Sequence, residues 1–245
     1  MNTFTIIVPI YDETTALSFS KAYFTKLGLE PLYVLDSKKH SRQTEVENLL
    51  GQKVAIYDNP GACIEAGYEQ LASLSPTDWI LRVDCDEVPN LNLIRHCTSF
   101  VAKPSDSYCG FDRDDLIWRD GHFERLKYAP LFFDTQFRLF NRRQVKFITK
   151  IHTPGFHIPV WKLPLGPWWH ASLKARIYHL QRVLTQPANR FEKVQRYNAV
   201  GQDKKFDDWH KRQEDSFHWG SFGDQEFTKF FASWLKAQEA HNHVA

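Results

Sequence analysis

The chain opens with a regular exchange between two hydrophobic patterns. Short apolar runs recur at 3–10, 31–35, 53–57 and 79–83, each rich in β-branched or aromatic residues, and each predicts a strand. F-T-I-I-V-P-I and W-I-L-R-V are nearly unbroken, as expected of strands covered on both faces. Helical spacing fills the intervals. Leu17, Phe24 and Leu27 mark the inner face of a first helix, with Thr14 or Thr15 as its cap and Gly28 as its stop. A second helix is expected over 41–50 and a third over 61–73, where Ile64, Tyr68 and Leu71 share a face. Strand and helix alternating in this way predict an α/β fold built on a parallel sheet with right-handed crossovers.

From about 105 to 165 the pattern changes. Y-C-G-F-D-R-D-D-L-I-W, R-L-K-Y-A-P-L-F-F, T-Q-F-R-L-F-N and V-K-F-I alternate or run apolar between charged turns, which predicts a mixed or antiparallel region. Beyond it the spacing reads as helical. Ile177, Leu180 and Leu184 share one face over 176–184, and a further helix follows Pro187, with Phe191 and Val194 inside and Gly201 as a stop. A last helix over 224–239 carries Phe227, Phe230, Phe231 and Trp234. The chain therefore divides into 1–104, 105–175 and a helical extension, 176–245.

An acidic group follows each of the first four strands: Tyr11-Asp12-Glu13, Asp36-Ser37, Asp58-Asn59 and Asp84-Cys85-Asp86-Glu87. Asp is common in turns for backbone reasons alone. In an open parallel sheet, however, all four stations lie on the edge where ligands bind. Charge follows the same division. Residues 1–137 hold 13 Lys/Arg and 20 Asp/Glu, whereas 138–212 hold 16 and 4. The first stretch suits a cation, and the second an anion or a lipid surface, or simply a solvated basic face.

The 245 residues are 42% hydrophobic and 24% charged, which suits one large domain. No run of about 18 apolar residues is present to span a bilayer. The start of the chain lacks the basic region and small-residue cleavage site of a secretory signal. Cys63, Cys85, Cys97 and Cys109 form no C-x-x-C pair, which argues against a structural zinc. A cytoplasmic protein is expected.

The most informative stretch is D-W-I-L-R-V-D-C-D-E, 78–87. A buried strand here delivers two carboxylates one residue apart. Oxygen ligands of this kind hold a divalent ion, and that ion can neutralise a departing diphosphate.

With T-I-I-V-P-I-Y-D-E at 5–13, L-D-S at 35–37, N-P-G at 59–61, F-R-L-F-N-R-R at 137–143, K-I-H at 150–152 and I-Y-H at 177–179, the chain resembles the family 2 glycosyltransferases. The resemblance implies a GT-A fold, a Rossmann-like, mostly parallel sheet with flanking helices. In that arrangement 1–104 is the nucleotide-sugar half and 105–175 the acceptor side. The implied reaction is inverting transfer of a sugar from a nucleotide-diphosphate donor to a saccharide, glycolipid or lipid-linked hydroxyl, assisted by Mg²⁺ or Mn²⁺. By the same resemblance Pro9, Tyr11, Glu13, Asp36, Asp58 and Asp84 lie at the nucleotide, and Asp86 is the main metal ligand, with Asp84. Lys38-Lys39 after Asp36, and Ala66-Gly67 in place of the usual asparagine, depart from the family pattern and bear on donor preference.

Inversion needs a base for the acceptor proton. Asp112, Asp114, Asp115 and Asp134 are the candidates; Asp134 is favoured, because it precedes Gln136 and Arg138 in the family-like segment, with Asp115 next. His152, ahead of His179, is expected to join the metal. Arg138, Arg142 and Arg143 suit the diphosphate, Arg138 first, or the wet face of a strand. Trp161, Trp168, Trp169, Trp209, Trp219 and Trp234 stand among basic residues. They suit core packing, sugar rings, or a peripheral contact at the inner face of the membrane that reaches a lipid-linked acceptor. No nucleic acid or obligate protein partner is expected. Two other readings stay open: a nucleotidyltransferase, disfavoured by an acidic first loop without glycine, and a non-catalytic saccharide- or nucleic-acid-binding protein.

Overall fold

The computed structural model describes residues 4–11, 13–61, 64–127, 135–149, 154–158, 174–185, 190, 195 and 217–242. It is an α/β structure. The first half runs β1 (Thr5–Ile10), α1 (Thr14–Lys26), β2 (Leu32–Asp36), α2 (Gln43–Leu50), β3 (Ala55–Tyr57), α3 (Tyr68–Ser73) and β4 (Trp79–Arg82). The strands pair in parallel in the order β3-β2-β1-β4. β1 is buried on both faces: Ile6, Val8 and Ile10 enter one core layer and Ile7 the other. That two-sided burial is why this stretch is an unbroken apolar run rather than an alternating one.

The second half is mixed, as expected. β5 (Glu87–Pro89), α4 (Leu91–Ala102), β6 (Tyr108–Arg119), β7 (His122–Leu126) and β8 (Thr135–Asn141) follow. β8 lies antiparallel to β4 and β6, and so joins the two halves into one sheet. Asn90 caps α4 by accepting from Leu93 N at 2.9 Å.

The helix expected over 176–184 is not formed as such. Arg176–His179 is a strand, β9, antiparallel to β5 and parallel to β6, and only Gln181–Leu184 is helical (α5). R-I-Y-H alternates, and two waiting strand edges prevail over its weak helical spacing. The third helix also starts late: Ile64–Gly67 is a 3-10 turn, and α3 begins at Tyr68. Thr14 lies inside α1 and provides no cap; its Oγ1 accepts from Arg42 Nη2 at 2.8 Å. The helix expected after Pro187 lies almost wholly outside the described residues.

β10 (Trp219–Ser221) pairs with β7, and α6 (Gln225–Asn242) ends the described chain. The aromatic stripe of α6 is core. Phe231 and Trp234 stand 5.4 and 5.0 Å from the Phe19 ring of α1. Trp161, Trp168, Trp169 and Trp209 lie outside the described residues. Among those described, no helix is long and apolar enough to cross a membrane. Phe19→Ala is expected to cost about 3–5 kcal/mol in urea denaturation, whereas Leu91→Ala, at a position 45% exposed, should change stability by no more than about 0.5 kcal/mol.

Candidate active site

The carboxyl ends of β1 to β4 meet on one edge, and the turn after β4 dominates it. Val83 extends the ladder by donating to Ile7 O at 3.0 Å, and the chain then turns through Asp84-Cys85-Asp86 into β5. Three bonds fix the turn. Glu87 N donates to Asp84 O at 2.9 Å, Cys85 Sγ to Pro9 O at 3.1 Å, and Leu180 N to Asp86 O at 2.7 Å. Pro9 thus meets the site through its carbonyl.

The side chains of this turn sit in a cluster of opposite charges. Arg138 Nη2, from β8, donates to Asp84 Oδ2 at 2.9 Å and to Glu87 Oε1 at 2.5 Å. Arg82 Nη1 lies 3.3 Å from Asp84 Oδ1. Strand order explains the remainder. β9 runs between β5 and β6, so His179 is registered opposite both Glu87 and Asp115. His179 Nδ1 is hydrogen-bonded to Asp115 Oδ1, and its Nε2 stands 3.6 Å from Asp86 Oδ2. Arg113 approaches Glu87 at 3.5 Å and Asp115 at 4.0 Å. Four carboxylates, Asp84, Asp86, Glu87 and Asp115, therefore face four cationic groups, Arg82, Arg113, Arg138 and His179.

Burial sets the protonation states. Loss of water, then the Asp84 carboxylate, push Glu87 up to about 7 against Arg113, His179 and Arg82. For His179, burial and Arg113 work against the charged form, but Asp115 and Asp86 prevail and hold it at about 9. Asp115 would be raised by burial, yet Arg113 and the His179 contact keep it below the ordinary carboxylate range.

The other candidate residues are placed as follows. Asp36 is buried; its Oδ1 accepts from Lys38 N at 2.9 Å, and its Oδ2 from Asn59 Nδ2 at 2.7 Å and Tyr57 OH at 3.3 Å. Asp58 is exposed and accepts from Ser37 Oγ at 3.3 Å. Tyr11 presents its ring to Lys39 Nζ, 4.7 Å from the centroid. Glu13 lines a separate shallow cleft with Thr14, Arg42 and Glu45, none of the strand-end aspartates among its walls. Asp112 and Asp114 are both tied to Arg176, at 2.7 and 2.6 Å. Arg142 donates to the carbonyls of Ala72 and Ser73, and Arg143 pairs with Asp78 at 2.8 Å. Asp134 and His152 lie outside the described residues. Sequence reasoning passed over Arg82 and Arg113, although Arg82 stands inside D-W-I-L-R-V-D-C-D-E, two residues before Asp84; that spacing was the available signal for Arg82, and Arg113 reaches the cluster only through the pairing of β6 with β9.

Asp84 Oδ1 is buried and accepts no hydrogen bond, and Asp86 follows on the same turn. An unsatisfied carboxylate oxygen beside a second carboxylate fits Mg²⁺ or Mn²⁺. Ions of this kind are commonly held by one or two carboxylates plus substrate phosphates rather than by a full protein cage. Among the described residues no three acidic, His or Cys side chains form a ready-made metal site.

No family model and no curated protein matches the chain. Among solved structures, it is similar to S. aureus TarS 1–349, with 15% identity over 85% of this chain and 69% of that one and a TM-score of 0.41. HddC from Yersinia pseudotuberculosis gives 8% identity over 79% and 99%, with a TM-score of 0.43. S. aureus TarS 1–349 in complex with UDP-GlcNAc gives 20% identity over 48% of this chain and 36% of that one, with a TM-score of 0.33.

The His179 shift has a defined consequence for stability. Its pKa is raised on folding, from 6.5 to about 9. The stabilisation is therefore complete below about pH 6.5 and disappears as pH rises through 9. Urea denaturation should show falling stability across that window. His179→Gln should remove this fall, and an unchanged slope in the variant would assign it to another group.

Proposed function

We propose that the chain is an inverting, metal-assisted glycosyltransferase, taking a sugar from a nucleotide-diphosphate donor to a hydroxyl of a saccharide, glycolipid or lipid-linked acceptor. One observation carries this reading. Asp84 and Asp86 stand on the edge where β1 to β4 end, with Arg138 brought across from β8 onto the same carboxylate. A diphosphate leaving group needs such a pairing of cation ligands with a fixed positive charge.

In this reading the nucleotide lies along the ends of β1 to β3. Tyr11 offers its ring to the base. The exposed Asp58 carboxylate accepts from base or ribose, and buried Asp36 holds the loop through Lys38 N and Asn59. Asp84 and Asp86, with His152, would hold the Mg²⁺ or Mn²⁺, which when bound supplies Lewis-acid neutralisation of the diphosphate. Arg138 keeps its guanidinium at the phosphate end and steadies the charge that develops there. The acceptor oxygen attacks the anomeric carbon, the bond from that carbon to the diphosphate oxygen breaks, and the nucleoside diphosphate leaves. Asp134, immediately before β8, takes the acceptor proton. Asp115, bonded to the His179 ring, orients that imidazole toward Asp86 instead of meeting the acceptor.

A thermal-shift series with UDP, GDP, CMP and nucleoside triphosphates, with and without Mn²⁺, tests the donor class. Stabilisation by one diphosphate that grows with Mn²⁺ is the expected result; a response to triphosphates alone, or to RNA alone, would replace this reading with nucleotidyl transfer or nucleic-acid binding. With the donor identified, Asp134→Asn should lower kcat at least about a hundredfold. Transfer that survives joint Asp84→Ala and Asp86→Ala replacement would refute the mechanism.

A further inference from the structure

Arg82 ends β4 and is 7% exposed. A guanidinium has five N–H donors and no acceptor, and leaving such donors unmade in the interior is costly. The Arg82 guanidinium meets its nearest carboxylate only as an ion pair. Its carboxylate neighbour, Asp84 Oδ1, is 3.3 Å away and accepts no hydrogen bond. The Tyr68 ring centroid lies 5.0 Å from Arg82 Cζ, and the Glu87 and Glu65 carboxylates also act on the guanidinium. The contrast with Arg138 is informative, since that side chain makes well-formed bonds to both Asp84 and Glu87.

Tyr68 is 1% exposed, and its hydroxyl has no hydrogen-bond partner, although a buried tyrosine hydroxyl usually finds one. The ring is held on two sides. Arg82 lies over it, and the backbone of Gly155, with φ of +82°, comes so close that a Cβ there would sit 2.5 Å from Tyr68 Cδ2. A fixed ring of this kind pre-sets the guanidinium lying on it. Arg138 Nε is a further buried donor without a partner. Arg82 and the unpartnered Nε of Arg138 thus flank Asp84, whose side chain is 33% exposed, with the Tyr68 ring beneath Arg82. The Asp84, Glu87 and Glu65 carboxylates act on Arg82 from within the protein, but Asp84 meets it only as an ion pair, and a phosphoryl group with several acceptor oxygens would use its planar fork more fully.

We infer that Arg82, seated on Tyr68, is an additional binding residue for the donor's diphosphate, which rests on the nucleotide-diphosphate reading above. The planar fork of an arginine matches two phosphoryl oxygens, as a lysine's point charge does not. When the diphosphate binds, Arg82 exchanges its loose approach to Asp84 for hydrogen bonds to phosphoryl oxygen. Asp84 is released to face a cation. The Tyr68 hydroxyl, which has no hydrogen-bond partner among the described residues, is the second group available to the same phosphoryl oxygens.

Isothermal titration calorimetry with EDTA present provides the test, because it leaves the protein's own cations as the source of diphosphate affinity. The ligands are UDP, GDP, the nucleosides uridine and guanosine, and inorganic pyrophosphate. Wild-type protein should bind pyrophosphate and at least one diphosphate more tightly than the corresponding nucleoside. Arg82→Met should weaken pyrophosphate and the diphosphate at least about tenfold while leaving nucleoside binding in place, as expected for loss of a charge-assisted hydrogen bond. Arg82→Lys keeps the charge near Asp84 and should recover part of the loss. Tyr68→Phe, which keeps the ring, should weaken both ligands about threefold. Equal diphosphate affinity in wild type and Arg82→Met overturns the inference, as does an equal loss for nucleoside and diphosphate. If Arg82→Met fails to fold, Arg82→Lys and Tyr68→Phe decide the matter by the same comparison. Pyrophosphate binding that needs Arg82, with no nucleotide bound, would keep the inference and remove the nucleotide-donor reading. No binding of pyrophosphate or nucleotide by wild type with EDTA present would overturn the inference, while the nucleotide-donor reading is decided by the thermal-shift series with Mn²⁺.

Discussion

Arg138 is the tie on which the site depends. It arises from β8, in the antiparallel half, and donates at once to Asp84 and Glu87, on the turn that ends the parallel half. Glu87 is fully buried, and a buried carboxylate is tolerable only when paired and hydrogen-bonded. The antiparallel register of β4 with β8, Leu81 opposite Leu139 and Ile80 opposite Phe140, brings Arg138 to that carboxylate. Sheet pairing and charge pairing therefore enforce each other. A slip of one residue would turn Arg138 to the opposite face and leave Glu87 without its closest cation.

The same logic accounts for the uneven charge of the chain. An acidic first stretch and a basic second one suggest two surfaces, one for a cation and one for an anion. In the fold much of that charge is spent internally instead. Arg142 and Arg143 turn to Asp78 and to the end of α3, and Arg176 grips Asp112 and Asp114. Of the arginines weighed for the diphosphate, only Arg138 stays at the acidic turn. Arg82, which lies in the acidic stretch and belongs to no basic cluster, stands beside it.

These placements indicate how far the sequence could be read. The first four strands, and the edge on which they end, were legible because unbroken apolar runs and the acidic residues after them are local features. The α6 stripe was legible for the same reason. The strand at Arg176–His179 was not, because its pairing partners lie about 60 and 90 residues earlier in the chain, and pairing at that distance overrode the local spacing. The His179–Asp115 contact was hidden with it. Asp115 stood behind the favoured Asp134 and beside Asp112 and Asp114, and only the parallel register of β6 with β9 separates it from Asp112 and Asp114 by giving those two to Arg176 and Asp115 to His179.

Near-neutrality is what the cluster offers a reaction. With all four carboxylates ionised, Asp84, Asp86, Glu87 and Asp115 balance Arg82, Arg113, Arg138 and His179. Adding a divalent cation alone would leave the group strongly positive, and adding a diphosphate alone would leave it negative; the two together restore the balance. In a medium where unpaired charge is expensive, the proposed function would have such a cluster take up ion and diphosphate as one unit. The coupling acts in both directions, so each partner should raise the affinity of the other by the same factor. Asp84 is the residue at which the two requirements meet, since it contacts both Arg82 and Arg138 and still keeps one oxygen without a hydrogen bond.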